Sequence, residues 1–394
     1  MTNFYLYNQK VCTRLYLFGH DLRQLLLANN WQESELAQAD YIFINSCSFL
    51  KTTEDYFITK IKELDQQKSA QQKIVVFGCL PHTALERLQQ NFSGEIITTR
   101  ELSALAMALG LEQVATNIGY TVPRQLRFRD RINKLLNTYL IKDAYLGFLS
   151  GELAYYLNIS RGCLGNCSYC SEKTARGKLK SHSISDIKIA FESGLRQHFR
   201  LFSLNADDVG VFGWDNQENI AILLTELLSF SENFKLILTE FNPWGLAKYR
   251  TELLPLLTST KIAHITIPLQ SGSDRILKLM DRPYSASDIL AIIKTIKSKH
   301  PTLVINTHLI VGFPGEQAED FQTTLKLIES GLFDKVKIFK YSDHEKVASY
   351  LLPDKVPLPI IDSRFRQLRS AILKQSLRRL NLRNILLNLP LYLK

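Results

Sequence analysis

Three cysteines within eight residues place the strongest constraint on what this chain can fold into. Cys163, Cys167 and Cys170 have the spacing C-x3-C-x2-C and directly follow a β-rich apolar run, Tyr155–Ser160. The run predicts a strand, so the cysteines are expected on the loop at its carboxyl end. Three thiolates can ligate three irons of a [4Fe–4S] cluster, which leaves one iron without a protein ligand. An open coordination position is what a catalytic metal site keeps for its substrate.

Two other interpretations of this segment stand beside the cluster. The three thiols could bind zinc with His182 as a fourth ligand, although zinc sites usually pair their ligands as C-x2-C or H-x3–5-H. Free cysteines are also among the most buried residues, so three unrelated core positions are another alternative. The position directly after the first strand of a βα array favours the cluster.

Residues 151–352 alternate strand patterns with helical patterns. The six predicted strands are Tyr155–Ser160, Phe199–Asn205, Lys235–Phe241, His264–Leu269, Thr302–Gly312 and Lys335–Ser342. Helical periodicity separates them, for example at Ile184–Leu195 and Ala286–Lys299. Six βα units predict a barrel or a wide open sheet, and the fold class that we expect is a partial (β/α)6 barrel. Active sites in such folds lie at the carboxyl ends of the strands.

Residues 1–105 show the same alternation on a smaller scale. The predicted strands are Asn3–Tyr7, Tyr41–Asn45, Lys73–Phe77 and Glu95–Thr98. The helical patterns between them include Asp21–Leu27, Glu54–Leu64 and His82–Gln90. This alternation predicts a parallel sheet covered by helices, which is a flavodoxin-like, doubly wound α/β domain.

The other three cysteines of the chain follow the strands of this first domain. Cys47 and Cys79 stand directly after two apolar runs, and Cys12 lies just beyond the first strand. Because parallel strands end at a common edge, the three thiols are expected to converge there and could hold a second three-coordinate cluster. Each one alone would be read as a buried core cysteine.

Composition and charge limit the location and the partners. The N-terminus has no basic stretch followed by an apolar segment, and no run of about 18 apolar residues occurs. Clustered cysteines suit a reducing compartment, so we expect a cytoplasmic protein without a membrane partner.

Positive charge is concentrated at the end of the chain. Residues 353–394 carry nine Lys or Arg against two Asp, whereas the net charge of the whole chain is +10. These residues predict a short basic helical tail, and a basic connector at 106–150 contains a further cationic stretch at 124–134. A basic tail can bind a polyanion such as nucleic acid, or it can be a solvated helix packed on the main domain.

Over roughly residues 5–350 the chain resembles the radical S-adenosylmethionine methylthiotransferases. Tyr169, just before the last cysteine, matches the radical signature, and Cys12 stands where this family has its first cluster cysteine. The N-terminal segments 39–47 and 77–81 resemble the family's ADxxxxNTC and GC(L/M)xQ-type segments. The segments that resemble its xRG, QSGSD, MxRxY and IxGFPGE motifs are residues 175–177, 268–274, 280–284 and 310–316.

The resemblance implies two [4Fe–4S] clusters and S-adenosyl-L-methionine as cofactors. Cys163, Cys167 and Cys170 would hold the cluster whose electron splits the sulfonium into a 5′-deoxyadenosyl radical. That radical would break a C–H bond that no side-chain base can open at neutral pH. The first-domain cysteines would hold the cluster that carries the sulfur. The electron would come from an external donor such as a flavodoxin or a ferredoxin.

Six further residues are candidates for binding S-adenosylmethionine: Tyr169, Arg176, Asp207, Glu240, Gln270 and Ser271. Asp207 follows the second barrel strand and could pair with the methionine ammonium, or it is an exposed loop carboxylate. Glu240, Gln270 and Ser271 also stand at strand ends, where they could meet the adenosine. Arg176 is a candidate carboxylate ligand or a surface ion-pair residue, and Tyr169 is expected to pack against the adenine.

The resemblance also suggests a substrate. Asp208, Gly210, Gly213 and Asp215 resemble the DTGAYGxD segment of the branch that modifies N6-threonylcarbamoyladenosine in tRNA. With the basic tail, this favours methylthiolation of a modified adenosine in tRNA.

Departures from the family pattern keep two alternatives open. Leu15 stands where the family usually has Asn, Thr307-His308 replaces its Thr-Asp, and the chain ends at Lys394 without room for the family's TRAM domain. That ending favours a ribosomal-protein or peptide side chain as the substrate. A degenerate cluster-binding scaffold is an alternative of another class, against which the presence of all six cysteines argues.

Overall fold

The structure is a computed structural model that describes residues 1–9, 11–98, 101–112, 118–121 and 154–379. The basic stretch at 124–134 and the tail beyond residue 379 lie outside these ranges. No helix within the described ranges is both long enough and apolar enough to cross a membrane.

The first sheet contains five parallel strands in the order β2-β1-β3-β4-β5. The strands are β1 Asn3–Tyr7, β2 Gln32–Glu33, β3 Tyr41–Ser46, β4 Lys73–Gly78 and β5 Glu95–Ile96. This 2-1-3-4-5 order is that of flavodoxin-like sheets, so the predicted fold class of this domain is confirmed. The two-residue β2 is exposed and carries no apolar signal, which is why it lies outside the four predicted strands.

Helices cover this sheet. They are α1 Thr13–Ala28, α2 Lys51–Gln67, α3 Leu80–Thr83, α4 Leu85–Gln89 and α5 Leu102–Ala108, with a 3-10 turn at Leu36–Gln38. The predicted helix at His82–Gln90 is divided in two because Ala84, at φ −140° and ψ 43°, leaves the helical region. Two apolar clusters form the core, one of which includes Phe57, Ile44 and Val76.

The second sheet has seven strands in the order β14-β13-β12-β11-β10-β7-β6, and β8 pairs with β9 in a separate ribbon. The strands are β6 Gly119–Thr121, β7 Tyr155–Asn158, β8 Ser160–Arg161, β9 Lys180–Ser181, β10 Leu201–Asn205, β11 Lys235–Leu238, β12 Ile262–Thr266, β13 Val304–Val311 and β14 Lys335–Lys340. Six of the seven run parallel, as the partial (β/α)6 barrel predicts. The connector adds β6, for which the sequence predicted no strand, as an antiparallel edge.

The remaining helices follow the barrel strands. They are α6 Lys173–Arg176, α7 Ile184–Arg196, α8 Ile220–Leu228, α9 Pro243–Lys248, α10 Arg250–Leu257, α11 Asp274–Leu279, α12 Ala286–Lys299, α13 Ala318–Glu329 and α14 Leu358–Arg379, with 3-10 turns at Val209–Val211 and Ala348–Leu351. Several begin at a capping side chain that accepts a backbone N–H of the first turn, as Ser183, Asn219 and Ser285 do.

The described chain divides into two compact units that do not follow it in order. The N-terminal unit consists of Met1–Ile118, Arg161–Leu179 and Ser342–Tyr350, and the barrel unit consists of Gly119–Ser160, Lys180–Tyr341 and Leu351–Lys394. The loop with the C-x3-C-x2-C motif therefore belongs to the N-terminal unit. The strands of the large sheet that precede and follow it in the sequence, β7 and β10, belong to the barrel unit.

The tail helix α14 packs on α13 and β14 through one face. Its inward residues are Ile361, Leu368, Ala371 and Ile372, all buried. Arg364 also turns inward and forms an ion pair of 2.5 Å with the buried Glu316. Arg366, Arg369 and Lys374 lie on the exposed side.

We expect Leu368→Ala to lower the free energy of unfolding by about 2–5 kcal/mol, because Leu368 is fully buried and its truncation leaves a cavity. Leu373→Ala is the matched control in the same helix, since that side chain is 39% exposed, and it should change the value by about 0.5 kcal/mol or less. Denaturant unfolding followed by circular dichroism measures both. Equal effects would show that α14 is not packed in this orientation.

Candidate cluster-binding and cofactor-binding sites

Three cysteines gather at the carboxyl edge of the first sheet. Cys47 follows β3 and Cys79 follows β4, and these strands are neighbours whose last residues, Ser46 and Gly78, pair. The Cys79 N–H donates to the Ser46 carbonyl at 2.7 Å. Cys12 is the N-cap residue of α1 and lies just beyond β1, which pairs with β3. Adjacent parallel strands thus carry the three cysteines to one edge.

Gly78 and Asn45 fix the shape of this edge. Gly78 has φ +105°, and a Cβ there would stand 2.5 Å from the Ser46 carbonyl oxygen, so only glycine lets β3 and β4 end this close together. The fully buried Asn45 donates through Nδ2 to the carbonyl of Leu15 at 2.6 Å and to Oδ1 of Asn8 at 2.8 Å. Leu15 stands where the family pattern has Asn. Its backbone carbonyl accepts the hydrogen bond from Asn45, and its side chain is buried in the core.

The thiol of Cys47 lies in a dry environment. Burial first, and then the charges of Glu172 and Cys12, raise its pKa to about 12. Backbone N–H groups of Phe49 and Cys12 donate to the thiol and oppose the rise. Hydrogen bonds to the sulfur and burial are two of the properties by which proteins tune iron–sulfur clusters.

Two cysteines of the C-x3-C-x2-C loop, Cys163 and Cys167, face the same glycine. A Cβ built on Gly165 would lie 3.3 Å from Sγ of Cys163 and 3.5 Å from Sγ of Cys167, so both sulfurs face this glycine. The Gly165 N–H donates to Sγ of Cys163 at 3.2 Å. The third cysteine, Cys170, lies in a turn in which its N–H donates to the Cys167 carbonyl at 3.1 Å.

Both cysteine triads belong to the N-terminal unit. Helix α6, which follows Cys170, packs on α3, which follows Cys79. Ala175 of α6 is buried in the same apolar cluster as Cys47 and Cys79. The sequence could predict each triad but not this shared interior, because residues 47 and 175 are too distant along the chain for periodicity to relate them.

The donor set fits iron–sulfur clusters. All six cysteines are free thiols. No group of three His, Cys, Asp or Glu in the described ranges is arranged so that it could hold a single metal ion. A four-iron cluster does not require that, because each thiolate binds a different iron. Backbone N–H groups already point at Cys47, Cys163 and Cys170, which stabilises the thiolate form that ligation needs.

The six predicted cofactor residues fall into two groups. Tyr169 and Arg176 belong to the N-terminal unit, where Arg176 forms an ion pair of 2.7 Å with Glu172. Asp207, Glu240 and Gln270 belong to the barrel unit and lie beyond the carboxyl ends of β10, β11 and β12, which are consecutive neighbours. Ser271 follows Gln270, but its buried hydroxyl accepts from the Ser273 N–H at 3.1 Å and faces Thr324.

Two of these strand-end residues have strained backbones. Glu240 has φ +48° and Gln270 has φ +71°, in the left-handed region that costs a non-glycine residue about 1–2 kcal/mol. Such strain concentrates at functional sites. Gln270 is held there by a 2.8 Å bond from its N–H to the His308 carbonyl and a 2.8 Å bond to its own carbonyl from Ile310. Nδ1 of His308 lies 3.8 Å from Oε2 of Glu240.

Several residues that brace these strand ends were not among the predicted site residues. Asp208 is fully enclosed, and its carboxylate accepts from the Gly210 N–H at 3.0 Å and from Nδ2 of Asn242 at 2.9 Å. Burial raises the pKa of Asp208, against the effect of these hydrogen bonds and of Arg282. The sequence gives no sign of this bracing role of Asp208, because it depends on Asn242, a residue far away in the sequence.

The MxRxY and IxGFPGE segments also act as braces. Nη2 of Arg282 donates to the Pro268 carbonyl at 2.9 Å, and Oη of Tyr284 donates to the Leu269 carbonyl at 3.1 Å, which fixes the approach to Gln270. Both carboxylate oxygens of Glu316 accept from the Gly312 N–H at 3.2 Å.

Comparison with known proteins agrees with this architecture. The radical SAM superfamily model matches residues 157–328, and a model described as uncharacterized protein family UPF0004 matches residues 19–98. The structure is similar to a solved radical S-adenosylmethionine methyltransferase, TsrM from Kitasatospora setae, with a TM-score of 0.57 at 13% identity over 86% of this chain and 72% of that one. The fold is therefore that of the radical S-adenosylmethionine class.

Two curated relatives narrow the family. The chain is 30% identical over 336 residues to a probable threonylcarbamoyladenosine tRNA methylthiotransferase of Pyrococcus horikoshii, covering 83% of this chain and 72% of the relative. It is also 30% identical over 349 residues to the ribosomal protein uS12 methylthiotransferase RimO of Syntrophotalea carbinolica, covering 87% and 74%. The chain belongs to the radical S-adenosylmethionine methylthiotransferases, enzymes that transfer sulfur-containing groups.

The strained backbone of Gln270 gives a test of the barrel site. Gln270→Gly and Gln270→Ala both remove the side chain, but only glycine adopts φ +71° without steric cost. We expect the glycine variant to be more stable than the alanine variant by about 1 kcal/mol, measured by denaturant unfolding. If Gln270 contacts the cofactor through its side chain, both variants lose affinity for S-adenosylmethionine equally. An alanine variant as stable as the glycine variant would contradict the left-handed conformation.

Proposed function

We propose that this protein uses two [4Fe–4S] clusters and S-adenosyl-L-methionine to insert a methylthio group at an unactivated C–H bond, in a modified adenosine of tRNA. The observation that carries this proposal is the pairing of two cysteine triads within one compact unit. One triad alone would supply radical chemistry, and the second supplies the additional cluster that sulfur transfer calls for in this family.

The chain's own residues have separate tasks in this scheme. Cys163, Cys167 and Cys170 hold one cluster, and Cys12, Cys47 and Cys79 hold the other. When bound, the first cluster supplies the electron that cleaves S-adenosylmethionine to a 5′-deoxyadenosyl radical. The protein supplies orientation and a dry site.

The barrel strand ends are proposed to bind S-adenosylmethionine. Asp207 is 7% exposed and would accept the methionine ammonium, a charge-assisted hydrogen bond that gains strength out of water. Glu240 and Gln270 would meet the adenosine, held in place by the braces from Arg282 and Tyr284. An external electron donor, such as a flavodoxin or ferredoxin, completes the proposed set of partners.

Two features support tRNA as the substrate. The relative from Pyrococcus horikoshii is named for threonylcarbamoyladenosine in tRNA. The helix α14 presents the exposed cations Arg366, Arg369 and Lys374. Exposed cations can neutralise the phosphates of a nucleic acid.

A protein side chain is the second candidate substrate. The relative from Syntrophotalea carbinolica, named for ribosomal protein uS12, is as similar to this chain as the tRNA-directed one. In addition, one of the tail's basic residues, Arg364, is occupied by Glu316 inside the barrel unit, which reduces the charge that the tail can offer to RNA.

Replacing single cysteines separates the two triads by function. Wild-type protein reconstituted without oxygen should hold about eight irons per chain, and loss of either triad should leave about four. Cys167→Ala should abolish cleavage of S-adenosylmethionine, because the cofactor then lacks its cluster. Cys47→Ala, the matched variant in the other triad, should keep cleavage but yield no methylthio-nucleoside in mass spectrometry of tRNA. Equal loss of cleavage in both variants, or four irons in the wild type, would contradict this division.

Salt dependence tests the tail as a tRNA-binding surface. Each neutralised phosphate contributes about −0.7 to −0.9 to the slope of log affinity against log salt. Replacing Arg366, Arg369 and Lys374 with Gln should therefore flatten the slope by roughly two to three units and weaken all tRNAs alike.

The matched control removes the same charge elsewhere on the barrel unit. Lys278, Lys294 and Lys299 are also exposed, and their replacement with Gln should leave the slope near that of the wild type. Identical slopes for the two triple variants would show that α14 does not contact tRNA. Absence of salt-dependent tRNA binding by the wild type would favour the protein substrate.

A further inference from the structure

The tail helix α14 holds the turn that leaves the carboxyl end of β13. This turn, at residues 312–316, directly follows Val311, the last residue of the strand. Nη1 of Arg364 donates to Oε1 of Glu316 at 2.5 Å and to the Glu316 carbonyl at 3.0 Å. The side chains of Arg364 and Glu316 are 11% and 3% exposed, respectively. A buried charge pair therefore joins the tail to the turn, and such a pair is strongly disrupted when one partner is removed.

Other contacts from the tail fix the backbone of the turn at both ends. The carboxylate that Arg364 binds accepts the Gly312 N–H through both oxygens at 3.2 Å. Ile361 of α14 packs directly on Gly312, since a Cβ added there would stand 2.4 Å from Cγ1 of Ile361. The Gly315 N–H donates to the Asp354 carbonyl at 2.9 Å. Three tail residues thus determine the shape of the turn.

The strand that ends in this turn also holds Gln270 in its left-handed conformation. The Gln270 N–H donates to the His308 carbonyl, and the Gln270 carbonyl accepts from the Ile310 N–H, both at 2.8 Å. Gly312 comes two residues after Ile310, so the turn begins where these hydrogen bonds end. Chains of packed side chains and hydrogen bonds along a rigid element carry energetic coupling between separated positions. The contacts of the tail therefore reach the strand end where Gln270 lies.

We propose that Arg364 and Ile361 of the tail helix are positioning residues for S-adenosylmethionine binding, which set the turn at residues 312–316 and, through β13, the placement of Gln270. This inference rests on the proposed function, in which Gln270 meets the adenosine. A binding site keeps its affinity only while its groups are held within about 0.5 Å of the productive geometry. The tail then contributes its buried residues to the cofactor site, whatever its exposed cations bind.

Equilibrium dialysis of the reconstituted full-length protein against S-adenosylmethionine tests the proposal, with the clusters left oxidised so that the cofactor is not cleaved. Ile361→Ala removes the side chain that packs on Gly312 and keeps the ion pair, and it should weaken binding about tenfold. Leu368→Ala is the matched control, because Leu368 is also buried in α14 but lies about two helical turns further on. It should lower stability and leave the affinity near that of the wild type.

Replacing Arg364 tests the ion pair. Arg364→Gln should weaken binding at least as much as Ile361→Ala, and Arg364→Lys, which keeps the charge, should restore most of the affinity. Asp362→Asn is the control in the same helix, since it removes an exposed ion pair of 2.6 Å with Lys340 and should leave the affinity unchanged. If Arg364→Gln does not fold, Ile361→Ala decides the question.

Hydrogen–deuterium exchange gives a second measurement that needs no cofactor. Ile361→Ala and Arg364→Gln should speed exchange at the Gly312 and Gly315 amides, which donate to Glu316 and to the Asp354 carbonyl. Leu368→Ala should leave exchange of these two amides as it is in the wild type.

Two outcomes would overturn the inference: wild-type affinity in Ile361→Ala, or equal weakening in Ile361→Ala and Leu368→Ala, which would reduce the effect to lost stability. Failure of the proposed function looks different. A wild type that does not bind S-adenosylmethionine would refute the cofactor, and wild-type affinity in Gln270→Ala would refute Gln270 as its ligand.

Discussion

The parallel pairing of β3 with β4 carries much of the organisation of the N-terminal unit. The ladder ends with Ser46 opposite Gly78, and the Cys79 N–H closes it at 2.7 Å on the Ser46 carbonyl. This places two cysteines at one edge and lets Asn45 anchor α1, which Cys12 caps. A side chain at residue 78 would collide with the neighbouring strand, so the cysteine edge depends on a position that has no side chain.

The loop of the C-x3-C-x2-C motif belongs to the same compact unit as this edge, although it follows a barrel strand in the sequence. Ala175 packs beside Cys47 and Cys79, and Glu172 lies within electrostatic reach of a cysteine from each triad. The barrel unit contributes a different kind of order. There, Asp208, Arg282 and Tyr284 hold the strand ends through backbone carbonyls and N–H groups, beside the proposed ligands Asp207, Glu240 and Gln270.

The sequence predicts the elements well where burial imposes a pattern. Both parallel sheets and the exact bounds of the helix at Ala286–Lys299 follow from apolar periodicity. The exposed β2 and the antiparallel β6 lack that pattern and can be recognised only from the strands they pair with. Of the site, Cys163, Cys167 and Cys170 are predictable from their local spacing, and Cys12, Cys47 and Cys79 from their positions after strands. The packing of Ala175 beside Cys47 is not, because the two residues lie far apart in the sequence.

The N-terminal unit is assembled from three separated parts of the chain, the last of which ends at Tyr350. During synthesis at roughly 5–20 residues per second, its first 118 residues wait on the order of tens of seconds for that last part to emerge. Contacts between such distant residues also form slowly, because loop-closure entropy opposes them. The thiols of Cys47 and Cys79 lack the cover of α6 only until the second part, residues 161–179, has emerged. Both sets of thiols proposed to hold clusters are therefore synthesised well before the last part of the unit, while most of the barrel is still to be made.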